Sequence, residues 1–250
     1  MSIELLVLLF AVAIGAGVVD AIAGGGGLIT LPALLLTGMP PAQALASNKI
    51  QALASVASSA HRYLRSGEAE TSGLPMRMCA SVGGAGIGAY CLRLADPSLL
   101  SRIAPFLLIG VACFFLLSRN HIGTKRPAVV GNAAFAALAC LPIGFYDGFF
   151  GPGTGSMYAA AFVLLLGREL RSATADTKIL NTAGSVVAAA ILLPSGLIVW
   201  PAALAMALGG IIGGQIGARL ALRWGAPLIR RMLVLVSIAL AIRLILQQYN

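Results

Sequence analysis

Apolar runs of roughly 18 residues or more recur along this chain, each long enough to cross about 30 Å of hydrocarbon. A lipid bilayer offers no partner to backbone N–H and C=O groups, so spans of this kind fold as helices. Ten apolar segments can be marked, at 4–23, 27–38, 43–64, 74–95, 99–118, 127–147, 154–167, 173–193, 198–221 and 227–247. The second and seventh are too short for comfortable spans, and each directly follows a run of glycines. Composition agrees: 59% of residues are hydrophobic and 10% charged, with a mean hydropathy of +0.94. A soluble domain carries about a quarter charged residues, so this chain could not cover a water-facing surface. The expectation is an all-α integral membrane protein, one polytopic helical bundle over residues 1–250.

The net charge of +9 does not point to nucleic acid, because the cations lie in short loops between apolar runs. If all ten segments cross, Arg62, Arg65, Arg77, Arg119, Lys125, Arg126, Arg168, Arg171, Arg219, Arg223, Arg230 and Arg231 share one side. Only Arg93, Arg102 and Arg243 then face the other, a split of twelve to three. Re-entrant second and seventh segments would give eight to seven. The positive-inside rule therefore favours ten crossings, with both termini outside the cytoplasm. Cys79, Cys91, Cys113 and Cys140 fall inside apolar segments with no Cys-x-x-Cys and no clustered His, so neither disulfides nor a metal is expected. The stretch Leu5–Val19 with Ala21-Ile-Ala23 imitates a signal peptide, but the only early charge is Glu4, and the segment reads as an uncleaved first helix.

One motif occurs twice. Asp20-Ala-Ile-Ala-Gly24-Gly-Gly-Gly27 is followed by a short apolar run and Ala46-Ser-Asn48-Lys49; Asp147-Gly-Phe-Phe-Gly151-Pro-Gly153-Thr-Gly-Ser156 is followed by another and Ala175-Asp-Thr177-Lys178. Glycine-rich fourth and ninth segments extend the likeness, so 4–118 and 127–247 read as two five-segment copies. An odd number of crossings per copy makes them inverted, with helices broken after the glycine runs. This is an architecture of secondary transporters, and paired glycine breaks point to their binding site.

The breaks expose backbone N–H groups at the start of a half-helix, an anion site tolerated only where it is buried or lines a cavity. On this reading Gly24, Gly25, Gly26, Gly27, Gly151, Gly153 and Gly155 line the substrate, with Thr154 and Ser156 as hydroxyl donors. Lys49 and Lys178 lie about 9 Å below their entry surfaces, where an unpaired ammonium costs at least about 2.5 kcal/mol. They attract the substrate, pair with Asp20 or Asp147, or snorkel to the surface. Asp20 and Asp147 either accept hydrogen bonds from freed N–H groups or carry a proton during the cycle. Asn48, Thr177 and Asn181 contact the substrate or a neighbouring helix. Gly209, Gly213 and Gly217, like Gly84 and Gly88, read as close helix packing. His61 and His121 read as solvated.

These motifs resemble the TauE/SafE family of sulfite exporters. The resemblance rests on Gly17 to Gly27 through Pro32, Ala46-Ser-Asn-Lys49, Gly144-Phe-Tyr-Asp147 to Ser156, Ala173-Thr-Ala-Asp-Thr-Lys178 and the glycines of segment nine. It implies a multi-pass inner-membrane permease for sulfite, sulfonates or other small organic anions. The sequence reading is thus a small-anion permease working by alternating access, with a carboxylate permease or an anion channel of the same build as alternatives. An intramembrane enzyme is disfavoured, because neither His lies in an apolar segment to activate a serine and no metal-ligand cluster is present. No cofactor is expected. Partners are the anion and the bilayer, with homo-oligomerisation and coupling to protons or another ion left open.

Overall fold

The computed structural model describes residues 1–70, 72–96, 98–100, 102–103, 106–107, 110 and 127–248, excluding the side chains of 226, 229–230 and 232–248. Most of segment five, with Cys113, Arg119, His121, Lys125 and Arg126, lies outside the described residues. These hold helices and no strand. The first half contains α1 (Ile3–Ala23), α2 (Gly27–Leu36), α3 (Pro41–Arg65) and α4 (Leu74–Leu94). The second contains α5 (Asn132–Phe135), a π turn (Ala136–Cys140), α6 (Leu141–Phe149), α7 (Thr154–Leu166), α8 (Leu170–Leu192), a 3-10 turn (Leu193–Ser195) and α9 (Trp200–Gln248).

Local chemistry sets the boundaries. Ser2 caps α1 by accepting the Leu5 N–H at 3.4 Å, and Gly24 closes it in the left-handed region at φ 77°. Pro142 has no N–H to return to the carbonyl four residues earlier, and the π turn before it absorbs that missing bond. Gly225, at φ 63° and ψ −154° in a conformation reserved for glycine, breaks α9 into two helices, which correspond to the expected ninth and tenth segments. The second and seventh segments are short, as read from sequence: α2 has 10 residues and α7 has 13. At 1.5 Å per residue they span only about 15 and 20 Å, half to two-thirds of the hydrocarbon.

Polarity is inverted relative to a water-soluble fold. Ser47, Asn48, Lys49, Gln51, Arg77, Asp147, Asp176, Thr177 and Lys178 are buried, while Ile3, Leu36, Leu138 and Leu208 stand exposed. Water would penalise such a surface, whereas lipid does not. Among the described residues, Ile3–Ala23, Leu170–Ser195 and Trp200–Gly225 are each long and apolar enough to cross a membrane. The chain is a multi-pass helical membrane protein.

Small residues draw two pairs of helices together. Along α1 and α9, a Cβ on Gly209, Gly213 or Gly217 would collide with the carbonyl of Phe10, Ile14 or Val18 respectively. Because both series ascend together, the two helices run parallel. The same holds for α4 and α6, where Gly84 faces Leu141, Gly88 faces Phe145, and Gly148 faces Ala85. Backbone contact of this kind is how helices associate where lipid removes the hydrophobic drive.

The glycine breaks are the tips of hairpins. The N–H of Val129, ahead of α5, donates to the Leu165 carbonyl at the end of α7 at 2.8 Å. Further toward the tip, the Phe135 and Phe162 rings lie 4.9 Å apart, and the Tyr158 hydroxyl donates to the Cys140 carbonyl at 3.2 Å. So α5–α6 and α7 run antiparallel. Leu9 and Ala13 of α1 share one apolar cluster with Leu31 and Leu34 of α2, the matching arrangement in the first half.

Candidate functional site

The two tips meet. A Cβ on Gly155 would stand only 2.6 Å from the Gly24 Cα, and the Ser156 hydroxyl donates to the Ala23 carbonyl. Gly24 and Gly153 both hold left-handed φ, at 77° and 86°, which lets each chain reverse without a side chain between them.

Around this junction four intramembrane charges pair crosswise. Lys49 of the first half contacts Asp147 of the second at 3.2 Å, and Lys178 of the second contacts Asp20 of the first at 3.0 Å. Each ammonium also donates to the backbone carbonyl of the same aspartate. Of the three roles open to the lysines, ion pairing is therefore the one present in this conformation. A buried charge is tolerable when paired and hydrogen-bonded, which both ammonium groups are. The pairs are unequal: the Asp147 side chain is 5% exposed and its Oδ2 has no partner, whereas that of Asp20 is 16% exposed.

The aspartates do not cap the half-helices, contrary to one of their two expected roles. Neither α2 nor α7 has a side-chain cap. Among the described residues, the N–H groups of Gly25, Gly26, Gly27, Gly153 and Gly155 donate to no backbone or side-chain acceptor. The lysines compete for the carboxylates and win, because an ammonium is the stronger donor. That leaves the N–H groups of both breaks available to another acceptor.

A cavity of about 20 Å³ lies at the junction. It is bordered by Asp20, Gly24, Gly27, Asn48, Lys49, Asp147, Gly151, Gly153, Gly155 and Asn181, all read from sequence as site residues. Such a space holds about one water and no oxyanion. Gly25 and Gly26 lie just ahead of α2, with Gly26 at its N-cap, Thr154 donates to the Gly151 carbonyl at 2.6 Å, and Ser156 ties the tips together. The Thr177 hydroxyl is buried without a partner, and Lys178 is held by Asp20 away from the cavity wall.

Three features escaped the sequence reading. Ala52 and Val56 complete the cavity wall, four and eight residues past Asn48 on the same face of α3, a spacing that could have named them. Arg77, expected among the loop cations, is fully buried. Its guanidinium lies 3.5 Å from Asp176 Oδ2 and 5.4 Å from the centre of the Phe162 ring. Both are charges within apolar segments, which was the available signal. The third is a matched pair of loop anchors. Asp176 accepts the Glu70 N–H at 2.9 Å, and Ser47, at the corresponding place in the first half, accepts the Val199 N–H at 2.9 Å. Arg168 and Arg171 pair with Glu70 and Glu68, which fastens the α7–α8 loop to the α3–α4 loop.

Comparison with known proteins follows this geometry. A family described as Sulfite exporter TauE/SafE matches residues 9–244. "Probable membrane transporter protein ORF9" of Sinorhizobium sp is 43% identical over 98% of this chain and 94% of its own length. "Probable membrane transporter protein YfcA" of Escherichia coli K12 is 38% identical over 98% and 91%. A "Probable membrane transporter protein" of Haemophilus influenzae is 36% identical over 99% and 97%. No solved structure matches.

Proposed function

This chain belongs to the TauE/SafE family, and we propose that it is a secondary transporter carrying a small anion across the cell inner membrane by alternating access. A sulfur oxyanion or organosulfonate is the favoured substrate class, following the family description. The observation that carries the reading is the junction itself. Two lysines are cross-paired with two aspartates where two glycine breaks with free N–H groups touch. An entering anion competes with the carboxylates for the ammonium groups while the free N–H groups take its remaining oxygens. The displaced aspartate is then a buried carboxylate without its cation, which favours taking up a proton and links anion movement to the proton gradient.

The contact between the tips supports two opposed hairpins that reach mid-membrane over two full crossings whose turns lie on opposite surfaces. Sidedness stays as the Lys and Arg count assigns it. The α3–α4 and α7–α8 loops are bridged by ion pairs, as two loops on one face must be. Both termini then lie outside the cytoplasm, and residues 4–118 and 127–247 form the inverted halves. The reciprocal pairs and loop anchors support that symmetry. No catalytic role is assigned.

The test is thermal stabilisation of the detergent-purified protein across sulfite, sulfate, thiosulfate, taurine, sulfoacetate, acetate and lactate. The charge-balanced variants Lys49→Met with Asp147→Leu, and Lys178→Met with Asp20→Leu, run alongside. A sulfur anion should raise the wild-type melting temperature and lose its effect in both variants. Stabilisation by carboxylates alone would keep the site and remove the sulfur class. A sulfur-anion shift retained in both variants would remove the lysines from it.

A further inference from the structure

We propose that a second pocket, at the arginine-rich end of α3, holds the phosphate of an anionic phospholipid headgroup. A cavity of about 390 Å³ opens between the last turns of α3 and the middle of α9, bordered by His61, Arg62, Arg65, Ser66, Gln215 and Leu222. That volume falls in the range of small-ligand pockets, and its wall carries basic side chains and no acid. The contrast with its surroundings is informative. Arg77, Arg168 and Arg171 each pair with a carboxylate, whereas His61, Arg62 and Arg65 make no ion pair among the described residues.

Arg62 is also held in place. Its Nε donates to Gln215 Oε1 at 2.9 Å, and Gln215 Nε2 in turn donates to the Ser58 carbonyl at 2.6 Å and hydroxyl at 3.0 Å. The terminal nitrogens of the guanidinium have no acceptor among the described residues, leaving the fork that matches two phosphate oxygens. Arg219 stands one turn beyond Gln215 on α9, exposed.

The flanks decide between a dissolved anion and a lipid. Leu64 is 54% exposed beside Arg65, and Trp224, two residues past Leu222 and so on the other side of α9 at about the same depth, is 59% exposed. Ile212 and Ile216 carry the exposed apolar surface of α9 onward. An exposed indole at the depth of the pocket arginines marks the headgroup level of a bilayer, and exposed aliphatic side chains further along α9 offer a path for acyl chains. A basic recess between helices at that depth suits an anionic headgroup.

The experiment titrates the delipidated full chain in detergent with short-chain phosphatidylglycerol, short-chain phosphatidylcholine and glycerol phosphate. Retained adducts are read by native mass spectrometry. Phosphatidylglycerol should bind in preference to the other two. Arg62→Gln with Arg65→Gln should weaken it about thirtyfold, at the strength expected of two arginines near an anionic headgroup. Ser66→Glu, at an exposed rim position, should weaken it as well without touching the Arg62 network. Equal binding of both lipids, or unchanged phosphatidylglycerol binding in both variants, would overturn the proposal. Glycerol phosphate binding as tightly as the lipid would make this a free-phosphate site and overturn the lipid assignment.

Discussion

A lysine in an apolar segment is tolerated only because of what it touches, and here the partner comes from the other half of the chain. Lys49→Met leaves the Asp147 carboxylate buried with neither oxygen paired, a situation that costs about 3–5 kcal/mol. Adding Asp147→Leu removes the stranded charge and should restore most of the loss, as read from melting curves in detergent. Equal melting of the single and double variants would show that the pair is not the source. Lys178→Met should cost less, because water reaches the Asp20 side chain at 16% exposure, against 5% for Asp147. The four charges were legible in the sequence as intramembrane residues with few ways to be tolerated. Their cross-pairing was not. Asp20 and Lys49 belong to one motif and look like a unit, and spacing along a chain carries no sign that one hairpin tip rests on another. Arg77 was hidden for a related reason: a cation in the first turn of a helix reads as interfacial until the neighbour that buries it is known.

At the scale of helices, glycine spacing predicted contact correctly in both halves, because a ridge of small residues every fourth position has little other use in lipid. Neighbouring glycines separate the cases. A Cβ on Gly84 would strike the Leu141 carbonyl, whereas one on Gly83 meets nothing within 4 Å. Gly84→Ala should therefore force α4 off α6 and cost about 1–3 kcal/mol. Gly83→Ala should be neutral or stabilise by up to about 1 kcal/mol through helix propensity. Comparable melting temperatures for the two variants would contradict the packing described. Helix lengths were likewise legible for α2 and α7, since each begins at a glycine break. The break at Gly225 was legible too, between the ninth and tenth segments, whereas the π turn was not, because it redistributes backbone hydrogen bonds without changing where apolar residues lie.

For the molecule as a whole, the arrangement predicts sidedness. In a background without native cysteines, Pro40→Cys and Glu169→Cys should react with impermeant reagents from opposite faces of sealed vesicles. Labelling of both from one face would remove the inverted relation between the halves. The two loop anchors also differ in chemistry. One is fastened by Glu68, Glu70, Arg168 and Arg171, and the other by Ser47 with the apolar cluster containing Met39, Leu192 and Ile198. Raising salt screens exposed charges and leaves apolar contact intact. Glu68→Gln with Glu70→Gln should therefore raise cysteine reactivity near the first anchor and leave the second unchanged.

The crosswise pairing has a consequence for biosynthesis. Lys49 precedes its aspartate by 98 residues and Asp20 precedes its lysine by 158. At 5–20 residues per second, the ribosome makes Lys49 roughly 5–20 s before its partner. Throughout that interval the nascent first half carries a lone cation and a lone carboxylate in segments bound for lipid. Neither can be neutralised by its own half in the way the finished protein uses. A chain that stalls midway therefore keeps two charges that resist release into the bilayer, a difference that insertion and degradation machinery can read. Completion of the second half is what makes the first half fit for the membrane.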